Sequence, residues 1–399
     1  MKKASHILFV FTLMNFVVAM MGFVFNGILD KVALSLNISV ANTGLLNTMY
    51  AYGAAFGVPI TLIVLRKIER IKMLKIMLFI TILMTLALIY AMSFGQLLIT
   101  RLIMGISANS YSVLAMSTVL SFSSKERRGR SMAILIMGAS LALVVGVPLT
   151  RVLSAVLDWR SIFWILSILM MASLIFFLFF LPRGDHEATK LNLRNELIYF
   201  KDKKTVLIII YTITMFVGYN ALFTYITPYL LLLFPSLEAA MSMLLVVIGI
   251  ASFIGNYIGG QVSDRIGYAK SMQIGAVLQL TLTVFIFISQ SFIWLSLLFV
   301  ILWIMSSWFT GLQLNTGIAH ETENKSSFII SINSSALSLG SAIGSSFAAI
   351  VIPISGIQNI VIITIFTNLA ITLIQWLSMK KYSGAVPELM KASLNESSK

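Results

Sequence analysis

The stretch Gly249-Ile-Ala-Ser-Phe-Ile-Gly-Asn-Tyr-Ile-Gly-Gly-Gln-Val-Ser-Asp-Arg-Ile-Gly267 governs how the rest of the chain reads. Up to Gly260 it is apolar or small apart from Asn256 and Tyr257; then Ser263, Asp264 and Arg265 arrive together. Such a pattern describes a helix leaving lipid, because in a bilayer every backbone N–H and C=O has to be satisfied within the segment. Extended back to residue 239, the apolar part approaches the roughly 20 residues that a bilayer core of about 30 Å demands. Gly255 and Gly259, four apart on one face, let a second helix come close.

The same pattern recurs along the chain. Apolar runs between charged or turn-rich breaks fall at about 7–29, 43–65, 73–93, 96–120, 131–152, 160–181, 205–227, 239–260, 271–290, 292–315, 327–351 and 358–379, which makes twelve spans. The breaks at 93/96 and 290/292 are very short, and merging across them leaves a count of ten. Composition agrees: 59% of the 399 residues are hydrophobic and 11% charged, with mean hydropathy +0.97. A soluble chain carries about 25% charged residues, so this surface faces lipid. Met1-Lys2-Lys3 before an apolar run imitates a signal peptide, but that run is too long and lacks a small-residue cleavage site; it reads as an uncleaved first helix. There are no cysteines, which removes disulfides, thiolate metal sites and cysteine catalysis.

The net charge of +14 is distributed by topology. With a cytoplasmic N-terminus and alternating helices, 24 of the 28 Lys and Arg lie inside, while Lys31, Arg151 and Arg160 lie outside and Arg101 sits within a helix. This is the positive-inside bias, and it predicts both termini in the cytoplasm of a multi-pass protein of a bacterial inner (cytoplasmic) membrane. Nucleic acid would call for a basic patch on a soluble domain, which the chain lacks, so no nucleic-acid partner is expected.

Pro182–Lys204 is the longest polar stretch before the C-terminal tail, with six spans before it and six after. The expected organisation is a six-helix bundle over 1–182, a cytoplasmic linker over 183–204 with a short surface helix at Asn192–Phe200, a second six-helix bundle over 205–380, and a cytoplasmic tail over 381–399. The halves echo one another at an offset of about 198 residues: the basic turn 66–72 matches 264–270, and Ala142 and Gly146 match Gly340 and Gly344. Two such repeats suit a transporter whose substrate site lies at the repeat interface near the bilayer midplane.

At this point the residues resemble a known family. Gly260-Gln-Val-Ser-Asp264-Arg265-Ile-Gly267 is similar to the G-x-L-a-D-R-x-G loop of the major facilitator superfamily. Leu97-Leu-Ile-Thr-Arg101-Leu-Ile-Met-Gly105 resembles its R-x-x-x-G motif. Gly138 to Gly146-Val-Pro148 resembles the G-x7-G-x-P motif of its drug:proton antiporter branch, of the arabinose-efflux-permease and chloramphenicol-exporter type, and Asp158-Trp159-Arg160-Ser-Ile-Phe163 its G-W-R-x-x-F turn. Phe223-Thr-Tyr225-Ile-Thr-Pro228-Tyr229 matches an aromatic-proline element of helix seven. Two departures stand out: Arg66 and Glu69 replace the acid and glycine of the first-half loop motif, and Gly22 stands where many relatives carry a glutamate.

The resemblance implies an all-α membrane fold of twelve helices in two pseudo-symmetric bundles, and it implies roles. Asp264, Arg265, Gly260 and Gly267 would latch one conformation. Gly138, Gly146, Pro148, Gly340 and Gly344 would pack helix five against helix eleven and seal a gate. Arg101 would serve proton transfer, with Asp30 as the acid nearest the cavity. Helices one, four, seven and ten would line that cavity, through Asn15, Asn26, Asn109, Tyr111, Tyr219, Asn220, Tyr225, Trp308, Gln313 and Asn315, a polar and aromatic set suited to an amphipathic organic molecule.

His320-Glu321-Thr322-Glu323 lacks the second histidine of a metal motif, and no Walker loop is present, so neither a metal nor ATP is expected. No cofactor and no enzymatic activity are anticipated, because nothing in the spans offers a nucleophile or paired acids. The reading is a monomeric secondary transporter that exports a small amphipathic solute such as a drug, sugar or nucleoside in exchange for protons. An uncoupled facilitator or importer, or a non-transporting receptor on the same fold, stays open beside it.

Overall fold

Apolar runs of spanning length become helices wherever the sequence reading expects one. The computed structural model describes residues 2–64, 68–123, 128–181, 197–322 and 327–383. Among these residues the spans are α1 (Lys2–Leu36), α2 (Val40–Val64), α3 (Arg70–Ile89), α4 (Phe94–Phe122), α5, α6 (Arg160–Phe180), α7, α8 (Met241–Ile266), α9 (Tyr268–Ile288), α10 (Ile293–Glu321), α11 (Ser327–Ser355) and α12 (Ile360–Ser383). Two of them are composite. Helix α5 runs Arg128–Leu141, a π-helical turn Ala142–Gly146, then Val147–Val156; α7 runs Lys203–Phe223 and resumes over Ile226–Leu233. Eleven described helices are long and apolar enough to cross a membrane. The twelfth, α2, carries Asn42, Asn47, Tyr50 and Tyr52, which lower its hydropathy. Arg66, most of the expected linker and all but the first residues of the tail lie outside the described residues; Leu197–Lys201 forms a 3-10 turn.

Local chemistry sets the breaks. Ser93 and Gln96 close a capping box that starts α4, so α3 and α4 stay separate despite their short turn. Gly267 ends α8 at φ 81°, a backbone region that favours glycine, and α9 starts at once. In α5, Pro148 has no N–H to continue the ladder; Val147 N–H bonds Ala142 O instead, and the turn widens by one residue. Helix α7 breaks at Thr224 and Tyr225, within reach of Pro228.

The first six helices and the last six repeat one packing scheme. Helix α2 packs on α4 and α3 on α6, as α8 packs on α10 and α9 on α12; α1 meets α5 as α7 meets α11. The two sets touch through α2 with α11, α5 with α8, and α1 with the second part of α7. Outside, the bundle is apolar: Phe179, Trp294 and Ile354 are largely exposed. Antiparallel succession gathers the turns after α1, α3, α5, α7, α9 and α11 at one end, the far end; the start of α1 and the end of α12 lie at the opposite, near end.

Candidate substrate site

Glycines bring the site's charge into place. A Cβ on Gly105 of α4 would lie 2.0 Å from the Tyr50 carbonyl oxygen of α2, and one on Gly53 would lie 2.1 Å from that of Leu102. With α2 and α4 in backbone contact, Arg101 reaches inward and is fully buried. Its Nε donates to the Leu46 carbonyl at 3.0 Å, Nη1 to the Met21 carbonyl at 2.6 Å and Nη2 to Asn47 Oδ1 at 3.4 Å. The Tyr50 and Phe25 rings lie 4.5 and 4.9 Å from the guanidinium carbon. Carbonyl dipoles and ring faces therefore offset a desolvation cost of at least about 2.5–3.5 kcal/mol. Among the described residues no carboxylate pairs with Arg101.

In front of this layer lies a cavity of about 380 Å³ between the two sets of helices, walled by α1, α2, α4, α5, α7 and α11. Five asparagines line it (Asn15, Asn26, Asn47, Asn109 and Asn220), together with Tyr50, Thr224 and the hydroxyls of Ser112, Ser338, Ser341 and Ser345. Val18, Phe23, Met116, Ile136 and Leu337 supply the apolar share, and among the described residues no charged side chain takes part. Asn15 donates to the Leu135 carbonyl at 2.8 Å, Asn109 to that of Gly105 at 2.9 Å, and Asn220 to Ser341 Oγ at 2.8 Å. Asn47 Nδ2 donates to Asn26 Oδ1 at 2.5 Å. A neutral pocket rich in amides and hydroxyls suits a neutral solute that both donates and accepts hydrogen bonds.

The two sets of helices are bonded to each other above the cavity. Tyr225, at the break in α7, donates to the Ala41 carbonyl of α2 at 3.1 Å, and Thr227 donates to the Asn26 carbonyl of α1 at 2.7 Å. Helix α1 itself departs from helical geometry at Ile28 (φ −133°, ψ 15°). Nearby, Arg151 of α5, 2% exposed, spreads a fork: Nη1 meets both oxygens of Asp30 at 2.6 and 2.8 Å and the Gly27 carbonyl at 3.3 Å, while Nη2 meets both oxygens of Glu238 at 2.7 Å. Asp30 belongs to α1 and Glu238 to the turn before α8, so one guanidinium ties the first set of helices to the second. Beside it a Cβ on Gly249 of α8 would lie 2.5 Å from Val144 Cα, in the π turn of α5.

Comparison with known proteins places this architecture. A sequence profile of the Major Facilitator Superfamily matches residues 11–328. The chain belongs to the major facilitator superfamily. It is a membrane transporter of small molecules and not an enzyme. An uncharacterized MFS-type transporter, YbcL of Bacillus subtilis, is 26% identical over 346 residues, 86% of this chain and 88% of that protein. A probable sugar efflux transporter of Helicobacter acinonychis is 24% identical over 354 residues, 88% and 89% of the two chains. Among solved structures, the xylose transporter XylE of Escherichia coli, in a partially occluded inward-open conformation, superposes with TM-score 0.72 at 15% identity over 94% of this chain and 98% of that one. The nucleoside transporter NupG gives 0.72 at 13% identity, over 93% and 99%.

Within the transporter the expected site residues divide into groups. Asn15, Asn26, Asn109 and Asn220 line the cavity. Tyr225 belongs to the far-end closure. Tyr219 stacks on Trp303 at 5.4 Å and accepts from Trp308 Nε1 at 3.2 Å, and Tyr111 is fully buried with its hydroxyl unpartnered among the described residues. Gln313 donates to the Gly259 carbonyl at 2.9 Å and so binds α10 to the glycine face of α8; exposed Asn315 accepts from Asn333 at 3.1 Å. The lining thus comes from α2, α5 and α11 as well as α1, α4 and α7, and α10 contributes none of it.

Asp30 sits with Arg151 and not with Arg101. Gly138 and Gly146 face Thr12 and Met20 of α1, while Gly340 and Gly344 face Ile213 and Val217 of α7. These glycines pack each set internally, so the expected contact of helix five with helix eleven is replaced by α5 on α8 and α2 on α11. Pro148 follows the π turn. Asp264 and Arg265 are exposed at the near end, after Gly260, and form no ion pair among the described residues. There Tyr268 bonds Glu321, which also lies 3.8 Å from Lys204 Nζ. The sequence marks neither Arg151, Glu238 nor Asn47 as a site residue, and Tyr50 only as part of the family-like stretch from Gly27 to Pro59; Arg151 reads as a residue of an outer segment, and nothing local marks it as the partner of two distant acids.

Proposed function

We propose that this transporter is an exporter of a small neutral organic solute, sugar-like in its hydrogen bonding, working by alternating access between two six-helix bundles. The observation that carries the reading is the uncharged amide- and hydroxyl-lined cavity of about 380 Å³ between the two sets of helices. The far end, on this reading, is periplasmic, and its closure by Tyr225, Thr227 and the Arg151 fork corresponds to a cytoplasm-facing state. The basic residues of the near end support a cytoplasmic position for it in a bacterial inner membrane, and the chain acts as a monomer. The probable sugar efflux transporters among the relatives support both the solute class and the direction.

Proton exchange drives the cycle in this reading. Among the described residues no carboxylate lines the cavity, so Asp30 and Glu238, which share Arg151 at the junction of the bundles, are the candidates for the exchanged proton. Everted membrane vesicles with an imposed pH gradient, offered labelled pentoses, hexoses, disaccharides and nucleosides, test it. Gradient-dependent accumulation is expected, and Asp30→Asn should flatten its pH dependence. The uncharged lining also supports an uncoupled facilitator, which would equilibrate the same solute with no gradient effect.

A further inference from the structure

Arg101 stands behind the cavity wall, under the Tyr50 ring, and hydrogen-bonds to the lining through one side chain, Asn47. A guanidinium can only donate hydrogen bonds, whereas an amide can present its oxygen or its nitrogen. Arg101 therefore dictates which way Asn47 faces: oxygen toward Nη2, nitrogen away from it. The nitrogen then meets Asn26, and Asn26 has to answer with its oxygen, as it does at 2.5 Å. What remains of Asn26 is its Nδ2, which makes no hydrogen bond among the described residues, on a side chain that lines the cavity. The Asn26 backbone is held too, since Thr227 of α7 donates to its carbonyl at 2.7 Å. Elsewhere on the wall, Asn220 of α7 donates to Phe216 and Ser341 and Asn15, further down α1, donates to Leu135, and the oxygens of both amides accept no hydrogen bond among the described residues.

We propose that Arg101 is a positioning residue that sets the hydrogen-bond polarity of the substrate site, through Asn47, so that Asn26 always presents a donor while Asn15 and Asn220 present acceptors. The inference rests on the cavity being the substrate site. It makes the solute one with an acceptor oxygen at one edge and hydroxyl donors at another, as a neutral polyol or sugar has, and it disfavours anions, which find no cation in the described lining.

The polarity can be tested without knowing the solute, by the unfolding midpoint of the purified full chain. Asn26→Asp keeps the acceptor facing Asn47 and replaces the free donor with a second oxygen, its charge lying one side chain from the Arg101 guanidinium that offsets it. Its midpoint should stay within about 3 °C of the wild type, the range of a ~1 kcal/mol change, whereas Asn26→Leu, which leaves Asn47 Nδ2 unanswered, should fall further. If Asn26→Asp falls as far as Asn26→Leu, Asn26 faces Asn47 with its donor and the relay is refuted. Asn47→Asp gives Arg101 a carboxylate and turns Asn26 round, and it should be stable only with Arg101 present; equal loss in an Arg101→Met background refutes the link to Arg101. In vesicles, Asn26→Asp and Asn47→Asp should both depress uptake of labelled D-xylose or lactose at least tenfold through KM. A wild type that carries no labelled sugar overturns the proposed solute class, and the midpoints still decide the relay.

Discussion

Arg151 holds two carboxylates that differ in what they are attached to. Asp30 sits on the same set of helices and its side chain is 20% exposed; Glu238 belongs to the other set and is 57% exposed. An ion pair open to water is worth about 0–1 kcal/mol, so Glu238 is the arm that can let go while Asp30 keeps the buried cation compensated. Glu238→Gln should therefore cost little stability, at most about 1 kcal/mol, yet loosen the far end. A single cysteine in place of Ala41, which lies beneath Tyr225, reads this out cleanly because the chain has no cysteine of its own. Its labelling by an impermeant thiol reagent should rise severalfold in Glu238→Gln; unchanged labelling would remove Glu238 from the gate. Asp30→Asn should cost more, on the order of 2 kcal/mol, since charge-assisted hydrogen bonds to a buried group are lost. The denaturation midpoints of the two variants give that order.

Discontinuities in the helices concentrate at the far end, where the bundles meet. The π turn of α5 is the surface that Gly249 of α8 touches, and no side chain fits between them. Gly249→Ala should leave each set of helices intact and prop their junction apart, raising Ala41→Cys labelling with little fall in unfolding midpoint. Gly105→Ala is the contrast: the added methyl meets the α2 backbone within one set, so the midpoint should drop by about 5 °C or more, in keeping with an overpacking cost of about 1–3 kcal/mol. The opposite ranking would exchange their assigned roles. At the start of α7, burial pushes the Asp202 carboxyl up, but bonds from the Thr205 hydroxyl and the Thr205 and Lys204 amides outweigh it and hold the group below its ordinary 3.8. The sign follows: this cap contributes fully above the ordinary carboxylate range and is lost only as pH falls through the depressed value. Slow exchange of the Thr205 amide should thus persist at pH 5, and Asp202→Ala should abolish it.

Element by element, much of this was legible beforehand. Spans announce themselves because lipid tolerates no unsatisfied backbone, and Pro148 marks the irregular turn in α5. The break in α7 was hidden inside an apolar run, with Pro228 as its single local sign. The composition of the cavity was legible in part: the asparagines of α1, α4 and α7 were named from the resemblance, but Asn47 shares an element with Gly53, and its place on the wall follows from how closely α2 meets α4. The Arg151 fork was invisible for a different reason, since Asp30, Arg151 and Glu238 are separated by 121 and 87 residues and meet only when the two sets of helices close.

Over the whole molecule the charge asymmetry makes a prediction of its own. Met92, in the turn after α3, is 96% exposed at the far end, and Lys270 is exposed at the near end. In intact cells an impermeant thiol reagent should label Met92→Cys and spare Lys270→Cys; the reverse pattern would invert the orientation and with it the proposed direction of export. The uncharged cavity has an electrical consequence as well. One elementary charge crossing a membrane potential of 100 mV exchanges about 2.3 kcal/mol with the field, but a neutral solute held by amides crosses without any such exchange. Current recorded from a planar bilayer during turnover would therefore be an ammeter for the driving ion alone: silence would mean that the solute moves with no net charge beside it, and one charge per molecule carried would count the ions in the stoichiometry.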